Sequence, residues 1–124
     1  MTQILLYQSK RGIALAADSR AVSFLPDDQI TYTEIQKIYP LSRHVVLITG
    51  GAGYGVLLCR EFRSHIKSTN LAGFDEIRGV AAPYLQQQME KICQQHLYTA
   101  HRPELERVYF LLAGYAPETP QDPF

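Results

Sequence analysis

The chain has 124 residues, of which 46% are hydrophobic and 19% charged, as is typical of one soluble globular domain. Twelve basic residues balance twelve acidic ones, which argues against a nucleic-acid-binding or membrane-surface protein. No apolar run is long enough to span a bilayer and no secretory signal is recognisable, so we expect a cytoplasmic protein.

Short apolar runs separated by turn residues predict β-hairpins in the first part of the chain. Four strands are predicted there: Ile4–Gln8, Ile13–Ala17, Ile30–Tyr39 and Val45–Thr49. The first two form a hairpin across the turn at Ser9–Gly12. The last two form a second hairpin across a turn at Pro40–Arg43, and Phe24–Gln29 is a loop between the hairpins.

Two helices are predicted after the glycine-rich segment Gly50–Gly55. Apolar residues of the first helix recur every fourth position, at Leu58, Phe62 and Ile66. The second helix, Asp75–Leu97, contains Pro83, which either kinks it or marks a second start. Both cysteines, Cys59 and Cys93, fall in these helices, and we expect free thiols rather than a disulfide.

A last strand is predicted at Val108–Ala113, followed by a turn-rich tail that ends at Phe124. Because strands and helices are segregated rather than alternating, the predicted fold class is α+β. A lone strand after two helices has to join a sheet, and a turn-rich tail usually leads to a returning strand. We therefore expect residues 1–124 to form one domain that is incomplete on its C-terminal side.

Thr2 is the first candidate for chemistry, because it directly follows the initiator Met1. Once Met1 is removed, one residue carries both a hydroxyl nucleophile and a free amine that can act as its base. A terminal amine titrates at roughly 7.7–8.0, so part of it is neutral at cellular pH. The apolar strand that follows the first turn returns Asp18, Ser19 and Arg20 toward the same end of the chain.

Three motifs, in this order, resemble the proteasome β-subunit family of N-terminal nucleophile hydrolases. They are GIALAADSRA at Gly12–Ala21, QKI at Gln36–Ile38 and TGGA at Thr49–Ala52, and Asp18 follows Thr2 by sixteen positions. The family includes the bacterial ring protease that works with an ATP-driven unfoldase. The resemblance covers about residues 2 to 115 and implies a four-layer αββα sandwich, here incomplete at the C-terminal side.

The resemblance implies a threonine-type peptidase subunit that cuts peptide bonds inside a ring-shaped chamber. Thr2 is then the nucleophile, Lys37 favours its developing alkoxide, and Asp18 keeps Lys37 charged and aimed. The N–H of Gly50 donates to the oxyanion, a role typically worth roughly 2.7–4 kcal/mol. By position in the family pattern, the substrate-binding residues are Ala21, Val22, Ile48 and Ala52.

The partners implied by the resemblance are a peptide or unfolded-protein substrate, copies of the same chain in a ring and an ATP-dependent unfoldase, with no cofactor. Gln3 and Val22 stand where active family members usually have threonine. The supporting Ser and Asp residues of the family come from a second half that this sequence lacks. We therefore expect weak or no peptidase activity from the isolated 124-residue chain.

Two other functions stay open on the residues. The first is a non-catalytic structural ring subunit or an inactive fragment of the same family. The second is nucleotide binding at Gly50–Gly55, although a third glycine at the Rossmann spacing and a Gly-Lys-Ser/Thr sequence are both missing. No metal site is expected, because four histidines lack ligand spacing: His44, His65, His96 and His101.

Overall fold

The computed structural model describes residues 2–27, 29–95 and 107–115. Its strands are β1 (Ile4–Ser9), β2 (Gly12–Ala17), β3 (Arg20–Phe24), β4 (Ile30–Glu34), β5 (Ile38–Ser42), β6 (Val45–Gly51) and β7 (Val108–Gly114). The helices α1 (Tyr54–Thr69) and α2 (Phe74–Gln95) lie between β6 and β7. The fold is therefore mixed α+β, as predicted, and its sheets are small and antiparallel. Met1, Leu97 and Phe124 lie outside the described residues.

The described strands form two separate hairpins and one three-stranded sheet. Strand β1 pairs with β2, β3 pairs with β4, and the sheet has the order β5–β6–β7. The predicted first hairpin is confirmed, with Ile4 opposite Ala17 and Ser9 opposite Gly12. The last predicted strand also joins a sheet, because Val108 of β7 lies opposite Gly51 of β6.

The predicted strand Ile30–Tyr39 is wrong in its extent, because two strands, β4 and β5, occupy and extend beyond this range. Strand β4 pairs with β3, which the sequence did not predict as a strand, and β5 pairs with β6. The turn predicted at Pro40–Arg43 is also wrong in part, since Pro40 lies within β5. A register shift between Pro40 and Ser42 explains this, because proline fits a strand at an edge or an irregularity.

The two helices cover one face of the three-stranded sheet. The fourfold repeat of α1 is confirmed, since Leu58, Phe62 and Ile66 are all buried. They pack against alternate residues of the sheet, among them Tyr39, Leu41, Val45 and Leu47, and against Ile77, Ala81 and Leu85 of α2. Burial of these apolar side chains is the main stabilising contribution in this part of the fold.

Helix α2 runs without a break through Pro83, so this proline does not mark a second helix start. Neither helix in the described part of the chain is long and apolar enough to cross a membrane. Gly51 ends β6 with a φ of 88°, a left-handed conformation that side chains disfavour. The chain then turns directly into α1, which places the start of that helix beside the end of β6.

The β1–β2 hairpin faces the side of the sheet opposite the helices. A cavity of about 210 Å³ separates them, lined by Ile13 and Leu15 of β2 and by Val46 and Ala113 of the sheet. Helices, sheet and hairpin thus form three successive layers. At one edge of these layers, the ends of β2 and β6 meet the segment before β5.

Candidate active site

Backbone hydrogen bonds fix the chain immediately after Thr2. In the β1–β2 ladder Ile4 lies opposite Ala17. Just outside this pair, Gln3 and Asp18 continue the ladder. The Gln3 N–H donates to Asp18 Oδ1 at 2.9 Å, and the Asp18 N–H donates to the Gln3 carbonyl at 3.2 Å. Gln3 is therefore bound to both the backbone and the carboxylate of Asp18.

Lys37 reaches the same place from the connection between β4 and β5. The Ile35 N–H donates to the carbonyl of Ser19 at 2.7 Å, which ties this connection to the residue after Asp18. The Thr49 N–H donates to the Lys37 carbonyl at 3.0 Å, which ties it to β6. Lys37 itself is only 6% exposed, so its ammonium group requires partners within the protein.

The Lys37 ammonium contacts both of the residues that the sequence predicted beside it. Lys37 Nζ donates to Thr2 Oγ1 at 3.2 Å. It also donates to Asp18 Oδ1 at 3.1 Å and to Oδ2 at 3.0 Å. An ammonium group has three N–H donors, and three acceptor oxygens lie within reach here. The structure therefore brings Thr2, Asp18 and Lys37 together.

The Asp18 carboxylate is stabilised in its ionised form. The hydrogen bond from the Gln3 N–H is the largest cause that lowers the pKa of Asp18, and the hydrogen bond from Lys37 follows. The carboxylate is partly exposed, whereas the Lys37 side chain is almost completely buried. An ionised Asp18 therefore supplies the counter-charge for the buried ammonium at neutral pH.

Gly50 lies directly against Thr2. A Cβ atom added at Gly50 would lie 3.0 Å from Thr2 Cβ and 3.2 Å from Thr2 Oγ1. The glycine therefore gives Thr2 the space in which its hydroxyl reaches Lys37.

The close packing of Gly50 against Thr2 does not test its predicted role as an oxyanion donor, which depends on the direction of its N–H group. The preceding N–H, that of Thr49, points to β5, and Gly50 lies opposite Tyr109 of β7. Because N–H groups alternate in direction along an antiparallel strand, this register directs the Gly50 N–H toward β7. Its role as an oxyanion donor stays a prediction.

The predicted substrate-binding residues lie in different places. Val22 lines an open cleft of about 910 Å³ that Gln3 and Asp18 also line, so the cleft adjoins the candidate site. Ala21 is the neighbour of Val22 on β3 and is partly exposed. Ile48 and Ala52, in contrast, are buried. The structure thus brings Val22 to the cleft beside Asp18, and the substrate-binding roles stay predictions.

Sequence reasoning gave no site role to several residues around this cleft. Arg20, Tyr32 and Glu34 line it, and the Arg20 guanidinium lies 5.0 Å from the centre of the Tyr32 ring. Arg20 is in register with Glu34 across the β3–β4 hairpin. Recognising β3 as a strand would have placed these three side chains together. The role of Gln3 was also missed, because it acts through its backbone.

Other candidate chemistry in the described residues is weaker. Burial raises the pKa of the Cys59 thiol to about 12, which excludes it as a nucleophile near neutral pH. Cys59 is a free, buried cysteine, and the side chain of Cys93 lies outside the described part. Residues 2–27, 29–95 and 107–115 contain no cluster of His, Cys, Asp and Glu suited to a metal ion. His96 and His101 lie outside those ranges.

A comparison with protein-family models finds no matching family, and a comparison with curated proteins finds no significant match.

Proposed function

We propose that the chain is a threonine-type peptidase subunit of the proteasome β-subunit type, in which Thr2 becomes an N-terminal nucleophile after Met1 is removed. One observation supports this most directly. Lys37 Nζ lies 3.2 Å from Thr2 Oγ1 and 3.0 Å from the nearer Asp18 oxygen. A buried cation that donates to a hydroxyl stabilises the alkoxide that forms when the hydroxyl loses its proton.

The proposed reaction uses only groups of this chain and water. The free amine of Thr2 accepts the hydroxyl proton while Oγ1 attacks the carbonyl carbon of a peptide bond. The C–N bond then breaks, the proton passes to the leaving nitrogen, and an ester to Oγ1 remains. Water, activated by the same amine, hydrolyses this ester and restores Thr2. Lys37 stabilises the negative charge that develops on Oγ1.

The finer fold and the partners belong to the same proposal. Three successive layers of helices, sheet and hairpin are compatible with part of a four-layer αββα sandwich. The substrate is a peptide or an unfolded protein, and an open cleft of about 910 Å³ adjoins Asp18. We further propose a cytoplasmic ring of copies of this chain that works with an ATP-dependent unfoldase.

Covalent labelling of Thr2 tests the proposal. Intact-mass spectrometry first shows whether the purified chain begins at Thr2. A peptide epoxyketone then reacts with a residue that has both a hydroxyl and a free amine. We expect labelling of the wild-type chain, labelling of Thr2→Ser, and loss of labelling in Thr2→Ala, with the adduct mapped to Thr2 by peptide mass spectrometry.

Labelling is a sharper test than turnover, because we expect weak hydrolysis from the isolated chain. A chain that begins at Thr2, is folded and is not labelled would contradict the peptidase proposal. That result would favour a structural ring subunit with the same fold.

A further inference from the structure

A buried tyrosine closes the turn that contains Lys37. The Tyr39 hydroxyl donates to the carbonyl of Gln36 at 2.6 Å, so this bond spans Lys37. A second bond supports the same turn, since Gln36 Nε2 donates to the Ile38 carbonyl at 2.7 Å. Tyr39 follows Lys37 by two residues, but its side chain points to the helix-covered core.

The Tyr39 hydroxyl complements the bond that β6 makes on the other side of Lys37. The Gln36 carbonyl belongs to the peptide group before the Lys37 Cα, and the Lys37 carbonyl belongs to the one after it. Tyr39 holds the first, and the Thr49 N–H holds the second at 3.0 Å. Both peptide groups that determine the direction of the Lys37 side chain are therefore fixed by hydrogen bonds.

The position of the hydroxyl is itself well defined. Tyr39 is completely buried and belongs to the core cluster that joins the sheet to α1. The guanidinium of Arg63, on α1, lies 5.4 Å from the centre of the Tyr39 ring. A packed ring at a fixed place gives the hydroxyl little freedom, so the hydrogen bond can define where the turn lies.

We propose that Tyr39 is a positioning residue that aims the Lys37 ammonium at Thr2 and Asp18. Its importance for catalysis rests on the proposed peptidase function. Its effect on the placement of Lys37 does not. Because the lysine side chain is long, a small rotation at its Cα displaces Nζ substantially. A displacement of about 1 Å in a catalytic group can cost about 100-fold in rate.

The test compares Tyr39→Phe with the wild-type chain. This variant keeps the ring in the core and removes only the hydroxyl. We expect the rate of epoxyketone labelling to fall about 10- to 100-fold. We also expect the pKa of Asp18, followed by NMR of its carboxyl carbon, to rise toward its ordinary value, because Lys37 is one of the groups that lower it. The variant Lys37→Met gives the full size of that rise.

Tyr84→Phe is the matched control, because Tyr84 packs against Phe62 in the same core, with ring centres 5.3 Å apart. It should change neither the labelling rate nor the Asp18 titration. Gln36→Ala provides a second variant of the turn with an intact core, and its effects should have the same direction as those of Tyr39→Phe.

The two readouts separate failure of this inference from failure of the proposed function. A folded wild-type chain that begins at Thr2 and is not labelled overturns the peptidase proposal, while a raised Asp18 pKa in Tyr39→Phe still supports the positioning role. A folded Tyr39→Phe chain with an unchanged Asp18 titration overturns the positioning role. If Tyr39→Phe does not fold, 4-fluorophenylalanine at position 39 fills the space of the hydroxyl without donating a hydrogen bond, and an unchanged Asp18 titration in that folded variant overturns the positioning role.

Discussion

Asp18 binds two groups that differ in charge. Its carboxylate accepts hydrogen bonds from the Lys37 ammonium and from the N–H of Gln3. A single side chain thus orients the cation and fixes the backbone next to Thr2. Replacing it with an amide removes the negative charge but keeps an oxygen that can accept from Gln3.

The variant Asp18→Asn should lower stability at pH 7 but not at low pH. Because folding lowers the pKa of Asp18, the unfolded chain binds more protons in the acidic range. The stability contributed by the carboxylate is therefore complete above its ordinary pKa of about 3.9 and is lost as the pH falls through the lower, folded value. Urea denaturation at pH 7 and at successively lower pH values below 3.8 follows this loss.

Asp75→Asn is the control for this experiment. Asp75 forms an exposed pair with Arg78 at 3.4 Å, and such pairs contribute little to stability. Its urea midpoint should stay close to that of the wild-type chain. Equal midpoints for Asp18→Asn and the wild-type chain at pH 7 would show that the Asp18 contacts do not stabilise the fold.

Gly50→Ala should displace the Thr2 hydroxyl. The added Cβ would approach Thr2 Cβ to 3.0 Å, so one of the two residues must move. We expect epoxyketone labelling to slow at least about tenfold, because Oγ1 loses its alignment with Lys37. Gly53→Ala is the matched control, since a Cβ there meets no atom within 4 Å. Equal labelling of the two variants would contradict the close packing.

The site residues differ in how far sequence alone could predict them. Thr2, Asp18 and Lys37 were identified from motif order, and the structure brings them together. Tyr39 could not be found in this way, because its buried ring is typical of a core residue and its hydroxyl acts on a carbonyl. Gln3 acts through backbone groups that every residue except proline possesses, so its identity gives no signal.

Helix α1 joins the two helices to the sheet through its apolar face. Phe62 is completely buried in the centre of that face and contacts the Tyr84 ring of α2. Phe62→Ala should lower the free energy of unfolding by about 3–5 kcal/mol, because it leaves a cavity between the helices. Urea denaturation measures this loss.

Leu57→Ala on the same helix is the control. Leu57 is about half exposed, so its replacement should change the free energy of unfolding by roughly 0.5 kcal/mol. A loss of similar size in both variants would contradict the buried orientation of Phe62.

The elements were predictable where one face is buried and the other exposed. The fourfold repeat of Leu58, Phe62 and Ile66 marks α1 because these residues share a buried face. Strand β3 gave no such pattern, and the described side chains of its hairpin with β4 are mostly exposed, so no buried face imposes one. Pro40 misled the prediction of β5, because its place beside a register shift is decided by tertiary pairing.

At the scale of the whole molecule, stability should be unevenly distributed. The β5–β6–β7 sheet is covered by both helices, whereas Leu5 and Tyr7 of β1 and Tyr32 of β4 are largely exposed. Two-stranded hairpins are only marginally stable by themselves. The β1–β2 and β3–β4 hairpins should therefore open more often than the sheet does.

Native-state hydrogen exchange measures this difference residue by residue. At a concentration where light scattering shows a monomer, amides of β6 should exchange most slowly. Amides of β1 and β3 should exchange orders of magnitude faster. Protection of β1 equal to that of β6 would contradict an uneven distribution of stability.

Segregation of strands from helices made the α+β class predictable from the sequence. The way in which the hairpins and the sheet stack was harder to predict from the sequence, because they meet through contacts between residues far apart in the chain. The four-layer sandwich stays part of the proposal.

The bonds between Gln3 and Asp18 affect when the proposed removal of Met1 can take place. An exopeptidase needs a loose, extended end to excise the first amino acid, whereas this ladder secures the second peptide linkage of the chain. Excision is therefore easiest while the protein is still emerging from the ribosome, before Asp18 has been translated and folded back. A late-acting exopeptidase would have to wait for the end of the hairpin to fray.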